Sequence, residues 1–236
     1  KSIRAFAQVE KGRTLEPIFL APWASLKDDE VEIEVDHCSV CHSDVHLIDG
    51  DWGEPPVRPL VPGHEIVGRV VAFGNSVTTL REGMRVGLGW QAGACGACHA
   101  CLSERAHLCT GGKIRTCVGR AGGLAERVRA DARFCFELPP ELDPKNVAPL
   151  LCAGLTVFSP LSRLGVRSGV RVGVIGVGGL GHLAVRFASS LGAEVIAFDP
   201  DAAAKRELAG HGEIALTGTL MSALASEVAI VTPADG

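Results

Sequence analysis

The 236-residue chain lacks most features that would set it apart from ordinary globular proteins. Its apolar runs fall far short of the roughly 18–20 residues that a membrane span needs. No basic stretch followed by an apolar core and a cleavage site opens it, so nothing argues for secretion and a cytoplasmic location is expected. Basic charge is not in excess. Against 23 Lys and Arg stand 27 Asp and Glu, giving a net charge of −4 and a pI of about 6.1, which argues against a nucleic-acid partner. There is no internal repeat and no low-complexity segment. Tyrosine is absent and aromatic residues make up only 5%. With 47% hydrophobic and 21% charged residues, the chain can bury a sizeable core, which excludes global disorder and allows one large domain or two modest ones.

The nine cysteines are the compositional outlier. An odd number in a chain without a secretion signal argues against a disulfide framework. Cys95, Cys98, Cys101 and Cys109 form a tight cluster with Gly93 and Gly96 in the same stretch. Thiolates at this spacing on a glycine-containing loop can converge on one tetrahedral Zn²⁺, and four of them leave no open position, so the site reads as structural. An iron–sulfur cluster is the less common occupant of such a set.

Residues 1–140 read as mostly β. Glu30–Val35 alternates acidic and apolar residues, as a half-buried strand does. Ile66–Phe73 is a second strand, with Gly68 marking a bulge or bend. Arg85–Leu88 and Phe134–Phe136 are shorter ones. Gly- and Pro-rich loops between them suggest a barrel-like fold. The pattern changes near Asp143-Pro144, a helix start with a capping Asp and Pro in the first turn. A helical stretch is expected to about Leu164, broken near Pro160. Strands at Val170–Ile175, Glu194–Phe198, Glu213–Leu216 and Val228–Val231 then alternate with helices at Leu180–Leu191, closed by Gly192, and at Ala202–Ala209. That alternation opens a doubly wound α/β unit.

Gly176, Gly178, Gly179, Leu180 and Gly181 belong to a G-x-G-x-x-G run between the first of these strands and its helix, the context in which such a loop binds a dinucleotide. The first glycine permits the turn, the second admits a pyrophosphate, and the third lets helix pack on strand. The helix N-terminus offers free N–H groups to the phosphates. Asp199 follows Gly181 by 18 residues, at the end of the next strand. An acid there accepts the ribose hydroxyls and repels a 2′-phosphate, favouring NAD over NADP.

Further motifs occur in a fixed order: Cys38-Ser39-Val40-Cys41-His42-Ser43-Asp44-Val45-His46, Gly63-His64-Glu65, the four-cysteine stretch, Pro149 to Val157, and the dinucleotide loop. In this arrangement the chain resembles the zinc-dependent medium-chain alcohol dehydrogenases, in particular the cinnamyl-alcohol-dehydrogenase-like branch with its bacterial aldehyde reductases. The resemblance implies a GroES-like β-barrel catalytic domain over residues 1–152 and a doubly wound Rossmann domain over 153–236. The family's chains are longer, so the resemblance also implies a truncated Rossmann domain whose C-terminal part is missing.

The resemblance further implies that Cys41, His64 and Cys152 hold a catalytic zinc. Spacing alone could not show this, because His64 and Cys152 lie 88 residues apart. It implies that Ser43 and His46 form a proton relay and that Asp44 and Glu65 are supporting carboxylates. A cap for Asp44 and a surface charge for Glu65 are the plainer readings. By the same likeness His42 faces the cofactor phosphates. Trp52 and Trp90 line the substrate pocket, with a core role the equal alternative for each. Cys38, Cys117 and Cys135 are expected to be core thiols. The implied activity is hydride transfer between NAD(P)(H) and a primary alcohol or aldehyde, with two zinc ions per chain. A polyol or formaldehyde dehydrogenase and a truncated, non-catalytic zinc- and nucleotide-binding paralogue are the alternatives. Asp199 departs from the branch, many of whose members resemble NADP users. No membrane or nucleic-acid partner is expected, and a homodimer is expected for a full-length chain.

Overall fold

The computed structural model describes residues 2–201, 214–217 (backbone only), 223 and 226–232. The chain divides into two compact units, Lys1–Cys152 and Ala153–Gly236. Among the described residues no helix is long and apolar enough to cross a membrane.

The first unit opens with an antiparallel hairpin of β1 (Ile3–Ala7) and β2 (Glu16–Leu20). There follow β3 (Glu30–Ser39), α1 (His42–Asp49), β4 (Glu65–Phe73), β5 (Arg85–Leu88), β6 (Gln91–Gly93), α2 (His99–Leu102), β7 (Ile114–Arg115), β8 (Arg127–Asp131), β9 (Cys135–Glu137) and α3 (Pro144–Val147). Five of the strands form one curled, antiparallel sheet in the order β8-β3-β4-β5-β9. The alternation in β3 does what its period dictates. Val31 and Ile33 are fully buried while Glu34 faces solvent. They pack with Ile66, Val70, Val86, Leu88 and Val128 in the main core. Each such side chain contributes about 1.5–3 kcal/mol of burial.

Gly68 marks a bulge, as its place in the strand suggested. The register between β3 and β4 slips between Val35 and His37, opposite Gly68 and Val67. A Cβ at Gly68 would lie 2.2 Å from the Glu34 carbonyl oxygen and 2.6 Å from Ile33 Cγ2. The slipped register pairs Ser39 with Glu65, so Cys41 and His64, just beyond that pair on either strand, are brought to the same end of the sheet.

Asp143 caps α3 as expected, accepting the Lys145 N–H at 3.0 Å. The expected break at Pro160 is not found. α4 (Ala153–Arg163) runs through Pro160, and the Pro160 carbonyl still accepts the Leu164 N–H at 2.9 Å. Losing one N–H near the end of a half-buried helix is tolerated where its apolar face packs well, and Val157 and Leu161 on that face are buried. The interruption comes earlier. A 3₁₀ turn at Ala148–Leu151, with Pro149 near its start, ends at Cys152, whose φ of −124° and ψ of −75° are not helical.

The second unit continues with β10 (Arg171–Ile175), α5 (Gly181–Ser190), β11 (Glu194–Phe198), β12 (Ile214–Thr217) and β13 (Val228–Val231). The four strands are parallel in the order β12-β11-β10-β13. That reversal of strand order on either side of β10 marks a doubly wound sheet. Val172, Val174, Ala184, Val185, Ala188, Val195 and Ala197 form its buried centre, with Leu180, Leu183, Phe187 and Leu191 packed around them. The helix expected at Ala202–Ala209 lies outside the described residues.

Because Gly68 sits against backbone, Gly68→Ala is expected to destabilise the first unit by about 2 kcal/mol or more. Denaturant unfolding followed by Trp fluorescence checks this, and an unchanged midpoint would contradict the close packing at the bulge.

Candidate functional site

Cys41 is the N-cap of α1, in extended conformation at φ −110° and ψ 158°. Asp44, at the third helical position, closes a capping box: its Oδ2 accepts the Cys41 N–H at 3.1 Å, while the Cys41 side chain accepts the Asp44 N–H. The same carboxylate, only 1% exposed, reaches the other segment. Its Oδ1 accepts the Gly63 N–H at 2.8 Å and bonds His64 Nδ1 at 3.0 Å. Asp44 therefore combines both roles read from the sequence, a helix cap and a carboxylate that orients an imidazole.

With Nδ1 held by Asp44, the other ring nitrogen of His64 is the free one. Nε2 is buried and has no hydrogen-bond partner. Around it, one donor atom from each of Cys41, His64, Glu65 and Cys152 lies within 4.8 Å of all the others. Cys152 arrives at the end of a segment anchored by Val147, Ala148 and Leu151 against Val67 and Leu138. A buried ring nitrogen without a partner, facing two sulfurs and a carboxylate, is costly and suits a positive charge between them.

The protonation pattern is that of a cluster that favours positive charge at its centre. A hydrogen bond from Cys152, with further ones from His64 and Ser43, holds the Cys41 thiol far below its ordinary range. Cys152, which keeps the shared proton, is pushed up. Burial works against charge on His64, but the Asp44 carboxylate at Nδ1 and the sulfurs of Cys117, Cys152 and Cys41 around the ring favour it and raise its pKa. Burial also raises Glu65, partly offset by the Ser39 hydroxyl bonded to it.

The four-cysteine stretch runs between β6 and β7. Four sulfur–sulfur separations are 3.5 Å (Cys98–Cys101, Cys109–Cys95) and 3.9 Å (Cys95–Cys101, Cys98–Cys109). A tetrahedron with Zn–S bonds of 2.3 Å has edges of about 3.8 Å, so these sulfurs already stand at metal-ligand spacing. The Cys98 N–H points at Cys95 Sγ at 3.4 Å, a bond that favours thiolate. Backbone donors at Cys101 and Thr110 lower Cys98 to about 5.

The expected relay residues lie along and after α1. The Ser43 hydroxyl reaches the Cys41 sulfur. His46 Nδ1 bonds Asp51 Oδ2 at 2.7 Å, a partner the sequence reading did not anticipate. A run of ring contacts links His42 to His46 (4.7 Å), His46 to Trp52 (5.3 Å), Trp52 to Trp90 (5.9 Å, edge-on) and Trp90 to His64 (4.8 Å, edge-on). Trp52 is exposed, so the core reading fails for it. Trp90 packs on Leu47, Leu60 and Cys117 and is partly core. Cys117 is buried as expected, but it touches His64 and forms a cluster with Asp44 and His64. Nothing in its sequence context signals that contact.

In the second unit the glycine loop has the geometry its motif requires. Gly176 has φ +84°, and a Cβ at Gly181 would lie 1.8 Å from the Gly176 carbonyl oxygen, so only glycine lets α5 approach β10. Asp199 follows β11. Its Oδ2 accepts the Val177 N–H at 2.8 Å and its Oδ1 the Asp201 N–H at 2.9 Å. A carboxylate offers about four acceptor sites, which leaves two for ribose hydroxyls.

Replacing Asp44 with Asn presents an N–H₂ to one of three donors. Asp44→Asn is expected to lower the stability of the first unit by about 2–3 kcal/mol. Denaturant unfolding reads this, and a change under about 0.5 kcal/mol would refute the role assigned to the carboxylate.

Residues 27–140 match the family model of the alcohol dehydrogenase GroES-like domain. The aldehyde reductase AdhA of Synechocystis is 46% identical over 206 residues, covering 87% of this chain and 60% of that protein. A cinnamyl alcohol dehydrogenase from Sorghum bicolor superposes with a TM-score of 0.85 at 30% identity, covering 100% of this chain and 71% of that one. A cinnamyl alcohol dehydrogenase from Helicobacter pylori, solved with NADP(H), gives 0.81 at 30% identity over 92% of this chain and 64% of its own. The chain spans only 60% of the aldehyde reductase, less than two thirds of its length. Motif order, fold and these likenesses agree: the chain belongs to the zinc-dependent medium-chain alcohol dehydrogenase family, in the branch of the cinnamyl alcohol dehydrogenases and bacterial aldehyde reductases.

Proposed function

We propose that the whole protein is a zinc- and nicotinamide-dependent oxidoreductase acting on a primary alcohol or its aldehyde. The observation that carries this reading is the unpartnered, buried Nε2 of His64 among the thiols of Cys41 and Cys152. Residues 1–152 are then the catalytic, zinc-binding domain and residues 153–236 the nucleotide-binding part. Cys41, His64 and Cys152 would hold the catalytic zinc, and Cys95, Cys98, Cys101 and Cys109 the structural one. A zinc ion at the first site would supply Lewis-acid polarisation of the substrate oxygen, and the nicotinamide the hydride.

The chain's own residues supply the rest. Asp44 fixes the tautomer and direction of His64. The Ser43 hydroxyl, next to Cys41, takes or gives the proton of the substrate oxygen. His46 passes that proton to solvent, held by Asp51. His42 is exposed beside it and available to a cofactor phosphate. Glu65 reaches the same donor cluster from the sheet side and tunes its charge. Trp52 and Trp90 give an apolar, aromatic wall, which favours apolar or aromatic substrates. In the glycine loop, Gly176, Gly178, Gly179, Leu180 and Gly181 would take the pyrophosphate. Asp199 keeps two acceptor sites for the adenosine ribose, and its charge favours NAD over NADP. All nine cysteines are free thiols, which suits the reducing cytoplasm.

Metal analysis of the purified protein is expected to give two zinc ions per chain. Cys41→Ser should lose one of them and all alcohol-dependent turnover while keeping the other; retained turnover would refute the ligand role. Asp199→Ser should shift the ratio of NADP to NAD affinity by about tenfold toward NADP, the equivalent of one favourable interaction of about 1.4 kcal/mol. Equilibrium titration with both reduced cofactors reads the ratio, and an unchanged value would reject the assignment.

A further inference from the structure

Two donors converge on one carbonyl of the glycine loop. Gly178 O accepts the backbone N–H of His182 at 3.1 Å and meets its ring Nδ1 at 3.0 Å. The first is an ordinary helical bond that opens α5. The second is not demanded by the helix. A carbonyl only accepts, so the ring must carry its proton on Nδ1.

A trans peptide points its C=O and N–H in opposite directions. Gly178 O and Gly179 N–H belong to one peptide. With the oxygen held toward His182, the Gly179 N–H is directed the other way, out of the N-terminal end of α5. Space lies there. Gly179 is exposed, and a Cβ built on it meets nothing within 4 Å. At Gly176 and Gly181 the same Cβ would collide with Thr232 and with the Gly176 carbonyl. Packing therefore explains two glycines of the loop and does not demand the third.

We propose that His182 is a positioning residue for nucleotide binding: its ring bond to Gly178 O holds the 178–179 peptide so that the Gly179 N–H faces the diphosphate of the ligand. The inference rests on the reading of residues 153–236 as nucleotide-binding. The group recognised is the diphosphate and not the base, because an aimed N–H at the positive end of a helix dipole stabilises an anionic oxygen. His182 acts through the peptide.

The test compares two isosteric variants of the full chain, His182→Thr and His182→Val, by equilibrium titration with ADP-ribose and with adenosine. A threonine hydroxyl can bond the carbonyl four residues back and a valine cannot, while both carry the same β-branched cost. His182→Val is expected to bind ADP-ribose about fivefold more weakly than wild type, the loss of one neutral hydrogen bond. His182→Thr should stay within about twofold of wild type. Adenosine binding should be the same in all three. Equal ADP-ribose affinity for the two variants, or a parallel loss for adenosine, would overturn the role of His182 while leaving nucleotide binding intact. A wild-type chain that binds no ADP-ribose overturns the nucleotide reading and this inference with it.

Discussion

The end of the first unit where Cys41, His64 and Cys152 meet depends on one buried carboxylate. Asp44 accepts hydrogen bonds from the Cys41 N–H, the Gly63 N–H and His64 Nδ1. A carboxylate at 1% exposure has lost its water, and here the donors that replace it are the backbone and side chain of the segments that carry Cys41 and His64. Its desolvation is offset by fixing where Cys41 begins α1 and which nitrogen of His64 faces inward. Two thiols, a second carboxylate and the Nε2 side of the His64 imidazole then gather in one cluster.

The two cysteine groups solve different problems. The four-cysteine stretch is local: its sulfurs belong to residues 95–109, and backbone N–H groups of the same loop point at them. Cys41, His64 and Cys152 come from three segments. Their meeting depends on the β3–β4 register, on the bulge opposite Gly68, and on a 3₁₀ turn that halts just before Cys152. The first group can assemble with its loop. The second exists only when the sheet is complete.

Much of this was legible in the residues. The alternation of Glu30–Val35 reports a one-sided strand because only one face of the sheet is buried. The glycine loop, its flanking strand and helix, and Asp199 are ordered by local backbone geometry. The reading failed at Pro160, where a buried apolar face outweighed one missing hydrogen bond. Asp51 and Cys117 had no signal at all. Asp51 is one of many surface acids until α1 turns His46 toward it, and Cys117 is one of several core-type thiols until the core sets it against His64. Asp44 was read as either a cap or a supporting carboxylate, and a single side chain with two oxygens serves both.

The sequence by itself determined the kinds of donor available, the tight spacing of the structural cysteines and the order of elements in the second unit. These follow from chemistry within a few residues or from periodicity along one element. Only the tertiary structure decided which distant donors meet, which ring nitrogen of His64 Asp44 holds, and which backbone N–H groups Asp199 accepts. The reason is physical. Reach along a loop is fixed by bond geometry and can be counted, whereas His64 and Cys152, 88 residues apart, are joined by a register and a packing that no local rule specifies.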